Sequence, residues 1–254
     1  MEKRVCVVTG SSSGIGAATV ERFAREGWNV AINFSRDPAP ARRIAETCGA
    51  AGADVLIHQA DISEDAACRA FAAAVEARWG RSDVLVNNAG ATKFVDARDL
   101  DGLSAEDFQR IFSVNVVGPF QMARAFAPLM RKTPGGGIVN VSSIASLLGQ
   151  GSSIAYAASK GALNTLTLSL ARTLGPEIRV NAVAPGMVDS SWLRTGLGEE
   201  RFAARRDAYI GRAALRDLIN PEDVADAIFW LGAGAKKTSG EVLVVDAGAR
   251  AGRN

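Results

Sequence analysis

Seven short runs in this chain are apolar almost from end to end: VCVVT (5–9), NVAINF (29–34), DVLIHQ (54–59), DVLVNN (83–88), GIVNVSS (137–143), RVNAVA (179–184) and EVLVVD (241–246). A strand with one wet face alternates apolar and polar residues, whereas a strand covered on both faces does not. Between the runs lie segments of helical period, near 14–27, 38–52, 63–79, 104–132, 155–175 and 221–232. Strand–helix alternation of this kind predicts an α/β fold: a doubly wound sheet of about seven parallel strands, helices on both faces and right-handed crossovers. No Pro- or Ser-rich linker and no internal repeat divides residues 1–254, so a single domain is expected. One excursion, at about 187–220, interrupts the rhythm with Gly196, Gly198, Gly211 and a charged helical stretch, EERFAARRDAY.

Composition removes several function classes. Basic and acidic residues nearly balance, 29 against 27, which is no footprint of nucleic-acid binding. No apolar run approaches the ~18 residues of a membrane span, and the N-terminus lacks a signal-peptide core, so a soluble, cytoplasmic protein is expected. Cys6, Cys48 and Cys68 are far apart and read as reduced, buried small residues. His58 is the single histidine, which excludes a metal site built on several imidazoles, and no metal is expected.

The first strand runs into TGSSSGIG, where Gly10, Gly14 and Gly16 open the first helix. Glycines permit a sharp turn and close approach of a ligand, and the helix N-terminus offers free N–H groups to a diphosphate. The spacing G-x-x-x-G-x-G differs from the G-x-G-x-x-G dinucleotide fingerprint, and no Lys-Ser/Thr follows to make a phosphate-transfer loop. A nucleotide site and an ordinary strand–helix turn both remain open on this stretch alone. In YAASK, Tyr156 stands four residues before Lys160, which puts the two on one helix face with Cβ atoms roughly 5–6 Å apart. A half-buried tyrosine beside a surface lysine has the same spacing.

Taken together, TGSSSGIG, NNAG (87–90), Asn115, Ser143, YAASK and PGMV (185–188), in this order and spacing, resemble the short-chain dehydrogenase/reductase family from Val5 to about Gly248. The resemblance implies a Rossmann-type domain in which a nicotinamide cofactor exchanges hydride with an alcohol or carbonyl. Tyr156 is then the general acid/base, with Lys160 and the positive nicotinamide ring expected to lower its pKa from ~10. Ser143 would bond the substrate oxygen, its neighbour Ser142 facing the other way, and Asn115 would help hold a water linked to the lysine. A serine-nucleophile hydrolase is disfavoured, because the lone histidine sits on another strand and no G-x-S-x-G is present. A methyltransferase on a similar sheet finds no support in the YAASK helix.

The same resemblance assigns cofactor contacts to Gly10, Ser12, Ser13, Gly14, Ile15 and Gly16 in the first turn, and to Asp61 and Ile62 beside the adenine. Asn88, Ala89 and Gly90 follow the fourth strand, and Tyr156 with Lys160 reaches the nicotinamide ribose. Pro185, Gly186, Val188 and Ser190 lie along the nicotinamide. Helix capping after the third strand is expected from Ser63 rather than Asp61. At the end of the second strand, Phe34 stands where NAD-dependent relatives carry an acid. Ser35 and Arg36 follow and can bond a 2′-phosphate, which favours NADP(H); Ser13 where many NADPH-dependent relatives are basic keeps NAD(H) possible.

A pocket rim is expected from 92–96, 144–154 and 187–216, made apolar by Ala145, Leu147, Leu148, Trp192, Leu193 and Leu197. Arg201, Arg205 and Arg206 are read as a solvated helix face, or else as contacts to an anionic substrate tail. Much of the chain looks like a 3-oxoacyl-[acyl-carrier-protein] reductase. Arg131 and Lys132 keep one basic helix end, but Gly175-Pro176-Glu177 makes the other acidic, so reduction of a small ketone, keto ester or polyol fits equally. A non-catalytic cofactor-binding regulator is the alternative of another class, and a homotetramer is expected by resemblance.

Overall fold

The computed structural model describes residues 2–133 and 135–252. Its strands are β1 (Val5–Val8), β2 (Asn29–Phe34), β3 (Val55–Gln59), β4 (Val84–Asn87), β5 (Gly136–Val141), β6 (Ile178–Pro185) and β7 (Val242–Val245). They pair in parallel in the order β3-β2-β1-β4-β5-β6-β7. Side chains alternate across a strand, and here both faces are covered. Cys6 and Val8 pack into one core with Phe23, Val30 and Ile228; Val5 and Val7 pack into another with Phe71, Met122 and Phe126. That double burial is why the central runs are apolar almost throughout, while the edge strands β3 and β7 are only half-buried.

The helices are α1 (Gly14–Arg25), α2 (Pro38–Ala50), α3 (Asp65–Trp79), α4 (Ala105–Phe112), α5 (Gly118–Met130), α6 (Ala145–Leu148), α7 (Ile154–Leu174), α8 (Ser191–Leu197), α9 (Glu199–Arg212) and α10 (Pro221–Phe229). The chain starts at the middle of the sheet, builds β2 and β3 to one side, then crosses back to β4. Strand order therefore reverses between β1 and β4, where the carboxyl ends of the strands leave a crevice.

Two expectations need correction. The helix expected over 104–132 is not continuous, because Ser113–Val117 form a π-helical turn between α4 and α5. Pro119 has no N–H to give to the Asn115 carbonyl four residues back, and this loosens the ladder there. The helix expected to 232 likewise ends in a π-helical turn, Trp230–Gly234. Its freed carbonyls are collected by Arg179 of β6: Nη1 donates to Leu231 O at 2.6 Å and Ala235 O at 3.0 Å, and Nη2 donates to Gly232 O at 2.6 Å. The excursion at 187–220 contains α8 and α9, joined at Gly198, whose φ of 77° favours glycine. Buried Phe202 and Tyr209 anchor α9, and the Tyr209 hydroxyl donates to Asp246 O at 2.6 Å.

Candidate active site

The crevice opens into a cavity of about 880 Å³. One end is built on the glycine turn. Gly10 and Gly14 have φ of +60° and +53°, and a Cβ on Gly10 would lie 2.9 Å from Ala89 Cα. Asn33 of β2 braces the turn, its Oδ1 accepting from Gly10 N at 3.0 Å and its Nδ2 donating to Ala60 O at 3.0 Å. Asn88 straps β4 to β1 by donating from Nδ2 to both Thr9 O and Gly10 O at 3.0 Å. Ser13 is the N-cap of α1 yet its side chain caps nothing, and the first turn of α1 carries no acid. The leading amides of α1 are thus left to an anion from outside, which is the arrangement a dinucleotide diphosphate fits.

Ser12, Ser13, Gly14, Ile15, Ser35, Arg36, Asp61, Ile62, Asn88, Ala89, Gly90, Pro185, Gly186, Val188 and Ser190 all line the cavity with Gly10. Gly16 does not; a Cβ there would lie 2.5 Å from Asn88 Nδ2, so this glycine serves close packing behind the turn. Phe34 is turned into the core, leaving Ser35 and Arg36 as the polar groups at the end of β2. Asp61 Oδ1 accepts from Ser63 N at 3.0 Å and Ser63 Oγ at 2.7 Å. The expectation that Ser63 caps the following helix is corrected: Glu64 is the N-cap of α3, and Ser63 serves the Asp61 turn.

At the other end, the end of β5 and the first turns of α7 bring Ser143, Tyr156 and Lys160 to the same wall. Ser153 caps α7 by accepting from Tyr156 N at 3.2 Å, which sets the pitch of the YAASK turn. The Ser143 hydroxyl accepts from Ala145 N at 3.1 Å, and its influence on the Tyr156 phenol is to lower that group's pKa, so it both caps a turn and addresses the phenol. Ser142 points away to Asn164 Oδ1 at 2.6 Å, as strand alternation predicts. Lys160 is 3% exposed, and its Nζ donates to Val141 O at 2.7 Å and lies 5.6 Å from the Tyr156 ring centroid. Burial pushes Lys160 down to about 8. Burial pushes Tyr156 up to about 12, against a lowering contribution from the Ser143 hydrogen bond. The lowering expected from Lys160 together with a positive nicotinamide ring is not produced by the protein groups: withdrawal from water dominates, and Ser143 is the group that lowers.

Asn115 stands behind this wall rather than on it. Its Oδ1 accepts from Ala91 N at 2.7 Å, and its Nδ2 donates to Ala91 O at 3.0 Å and Ser159 Oγ at 2.9 Å. It joins the loop after β4 to the helix of Tyr156 and Lys160, and the π-helical turn is what carries it there.

The rim is apolar where expected, with Ala145, Leu148, Trp192, Leu193 and Leu197 on the cavity, but Leu147 lies outside it and is exposed. The Trp192 ring is 6.0 Å from that of Tyr156 and 5.6 Å from that of Phe94. Sequence reasoning did not single out Phe94, Tyr209 or Arg212, all of which line the cavity. For Arg212 a signal was present, since it lies seven residues after Arg205 on the same helix face. Arg205 lines the cavity, whereas Arg206 pairs with Asp207.

A family profile described as "Enoyl-(Acyl carrier protein) reductase" matches residues 10–250. The chain is 41% identical to "Granaticin polyketide synthase putative ketoacyl reductase 2" of Streptomyces violaceoruber, covering 98% of this chain and 96% of that one. It is 35% identical to a 3-oxoacyl-[acyl-carrier-protein] reductase of Thermotoga maritima, covering 98% of each. A crystal structure of levodione reductase superposes with a TM-score of 0.91 at 26% identity, covering 99% of each chain. Sheet order, crevice and near full-length similarity agree, and the chain belongs to the short-chain dehydrogenase/reductase family, oxidoreductases that use NAD(P)(H) on alcohols and carbonyls.

Proposed function

We propose that the chain is an NADP(H)-preferring reductase of a ketone, acting as one dinucleotide-binding domain with Tyr156 as proton donor. The observation that carries this reading is the meeting of Ser143, Tyr156 and Lys160 on one wall of a cavity whose far end is the uncapped start of α1. The bound nicotinamide supplies or accepts hydride. Gly10, Gly14 and the leading amides of α1 hold its diphosphate, and Arg36 with Ser35 meets a 2′-phosphate. Tyr156, held near 12, keeps its proton at neutral pH and gives it to the substrate oxygen. Ser143 bonds the same oxygen and orients the phenol. Lys160 spends one N–H on Val141 O and keeps two for a ribose hydroxyl and for the field at the phenol. Asn115 acts through Ala91 and Ser159, holding loop and helix in register.

A β-keto thioester is the second reading for the substrate, favoured by the similarity to two proteins named as ketoacyl or 3-oxoacyl reductases. No helix among the described residues is long and apolar enough to cross a membrane. We further propose a cytoplasmic homotetramer, supported by the resemblance and by exposed Val117, Phe120 and Leu168 on α5, its preceding turn and α7.

The test is a paired fluorescence titration with NADPH and NADH, followed by turnover of a ketone, keto-ester and keto-thioester panel. Tighter NADPH binding with oxidation of NADPH by a panel member is the expected result. Tight binding with no turnover of any member would return the regulator reading, and failure of both cofactors to bind would overturn the nucleotide site.

A further inference from the structure

The cavity-facing side of α9 reads Arg205, Ala208, Tyr209 and Arg212, at i, i+3, i+4 and i+7. Seven residues of helix span ~10 Å, with the small Ala208 leaving a gap between the two guanidinium groups. Neither arginine enters an ion pair among the described residues, although neighbouring arginines do: Arg206 with Asp207, and Arg194 with Asp189 and Glu199. Arg212 lies 5.3 Å from the Tyr209 ring centroid, and Tyr209 is itself fixed by its bond to Asp246 O. Among the described residues two acids line the cavity: Asp96, whose Oδ1 accepts from Arg98 N at 2.9 Å, and Asp61, whose Oδ1 accepts from Ser63. The same lining carries an apolar group, Trp192, Leu193 and Leu197 of α8 with Phe94, and the Trp192 ring in it lies 6.0 Å from that of Tyr156.

We infer that Arg205 and Arg212 form an oxyanion subsite for the far end of the substrate, so that the preferred ketones carry a carboxylate or phosphate beyond an apolar spacer. Planar guanidinium groups bond such oxyanions in bidentate fashion, and two on one rigid helix fix the direction in which the ketone enters. This rests on the reductase reading for the identity of the substrate, but the subsite itself is a binding property and is read separately.

Levulinate, 6-oxoheptanoate and 8-oxononanoate, each against its methyl ester, are compared by kcat/KM and by calorimetric binding to the protein saturated with NADP+. The variants are Arg205→Gln, Arg212→Gln and the double substitution, which leave buried Phe202 and Tyr209 in place. In the wild type at least one acid should bind and react better than its ester by about tenfold, the scale of one charge-assisted contact. That advantage should shrink with added salt and vanish in the double variant, while ester turnover and KM for NADPH stay unchanged. Acids favoured in binding without turnover would uphold the subsite and sink only the reductase reading. Equal binding of every acid and ester, no binding of any acid, or an acid preference that survives the double variant each overturns the subsite. A paired rise in KM for NADPH also overturns it, by assigning the arginines to the cofactor phosphates.

Discussion

Tyr156 and Lys160 lie one turn apart, and the physics of the pair is dominated by withdrawal from water rather than by their mutual spacing. Replacing Tyr156 by Phe removes the phenolic hydroxyl and with it the transferable proton, so turnover should fall by roughly 10²–10⁴-fold, the usual worth of a general acid, with NADPH affinity nearly intact. Steady-state kinetics with a fluorescence titration reads both; comparable turnover in the variant would sink the role. Arg36 makes the complementary case at the other end of the cavity. Arg36→Ala should weaken NADPH by about tenfold and leave NADH binding unchanged, because only a 2′-phosphate offers it a charge-assisted partner. Equal weakening of both cofactors would remove the argument for NADP(H). The residue types and spacings at these positions were legible in the sequence. The direction of the phenol's shift was not, because desolvation depends on walls contributed by β5, α6 and α8.

At the scale of elements, the π-helical turn at Ser113–Val117 and the lid helices α8 and α9 decide the geometry of the site. The first carries Asn115, whose three bonds to Ala91 and Ser159 join two segments. Asn115→Ala removes the side-chain partners of the half-buried Ala91 amide and carbonyl and should cost about 1–2 kcal/mol in denaturant unfolding. Full stability in that variant would mean the bonds are replaced by water. The lid docks through Gly196, where a Cβ would lie 1.9 Å from Phe94 Cε2. Gly196→Ala must displace the Phe94 ring and with it the contact to Trp192, so KM for the ketone should rise several-fold while KM for NADPH holds. Crystallography or KM measurements that show neither effect would refute the docking role. Strand and helix order was readable from periodicity, and the excursion was visible as a break in it. The π-helical turns were not marked, although Pro119 was the available sign for the first of them.

For the molecule as a whole, the buried Lys160 ties stability to pH. Its folded value of about 8 lies below the ordinary 10.5, so between those limits the unfolded chain holds a proton that the folded chain does not. Stability from this group therefore rises with pH across about 8 to 10.5, and the full cost of charging a buried ammonium is felt below 8. Lys160→Met should remove that cost, making the cofactor-free protein more stable at pH 7 by up to about 3 kcal/mol. The advantage should fade as pH climbs through the same window. Thermal melts of both proteins from pH 7 to pH 10 check this, and a constant difference would show that Lys160 does not titrate there.

What the sequence determined by itself is the part governed by neighbours along the chain. Full-length apolar runs demanded a two-sided parallel sheet, the TGSSSGIG turn demanded a glycine backbone, and YAASK put a phenol and an amine on one helix face. What only the tertiary structure decided is the part governed by segments far apart. The crossing from β3 back to β4 makes the crevice, the crossing of α9 over it brings Arg205 and Arg212 to the cavity rim, and walls from distant strands strip water from Tyr156 and Lys160. Periodicity is a local property that a sequence records; solvent exclusion and charge environment are sums over everything that folds around a group, and no single segment carries them.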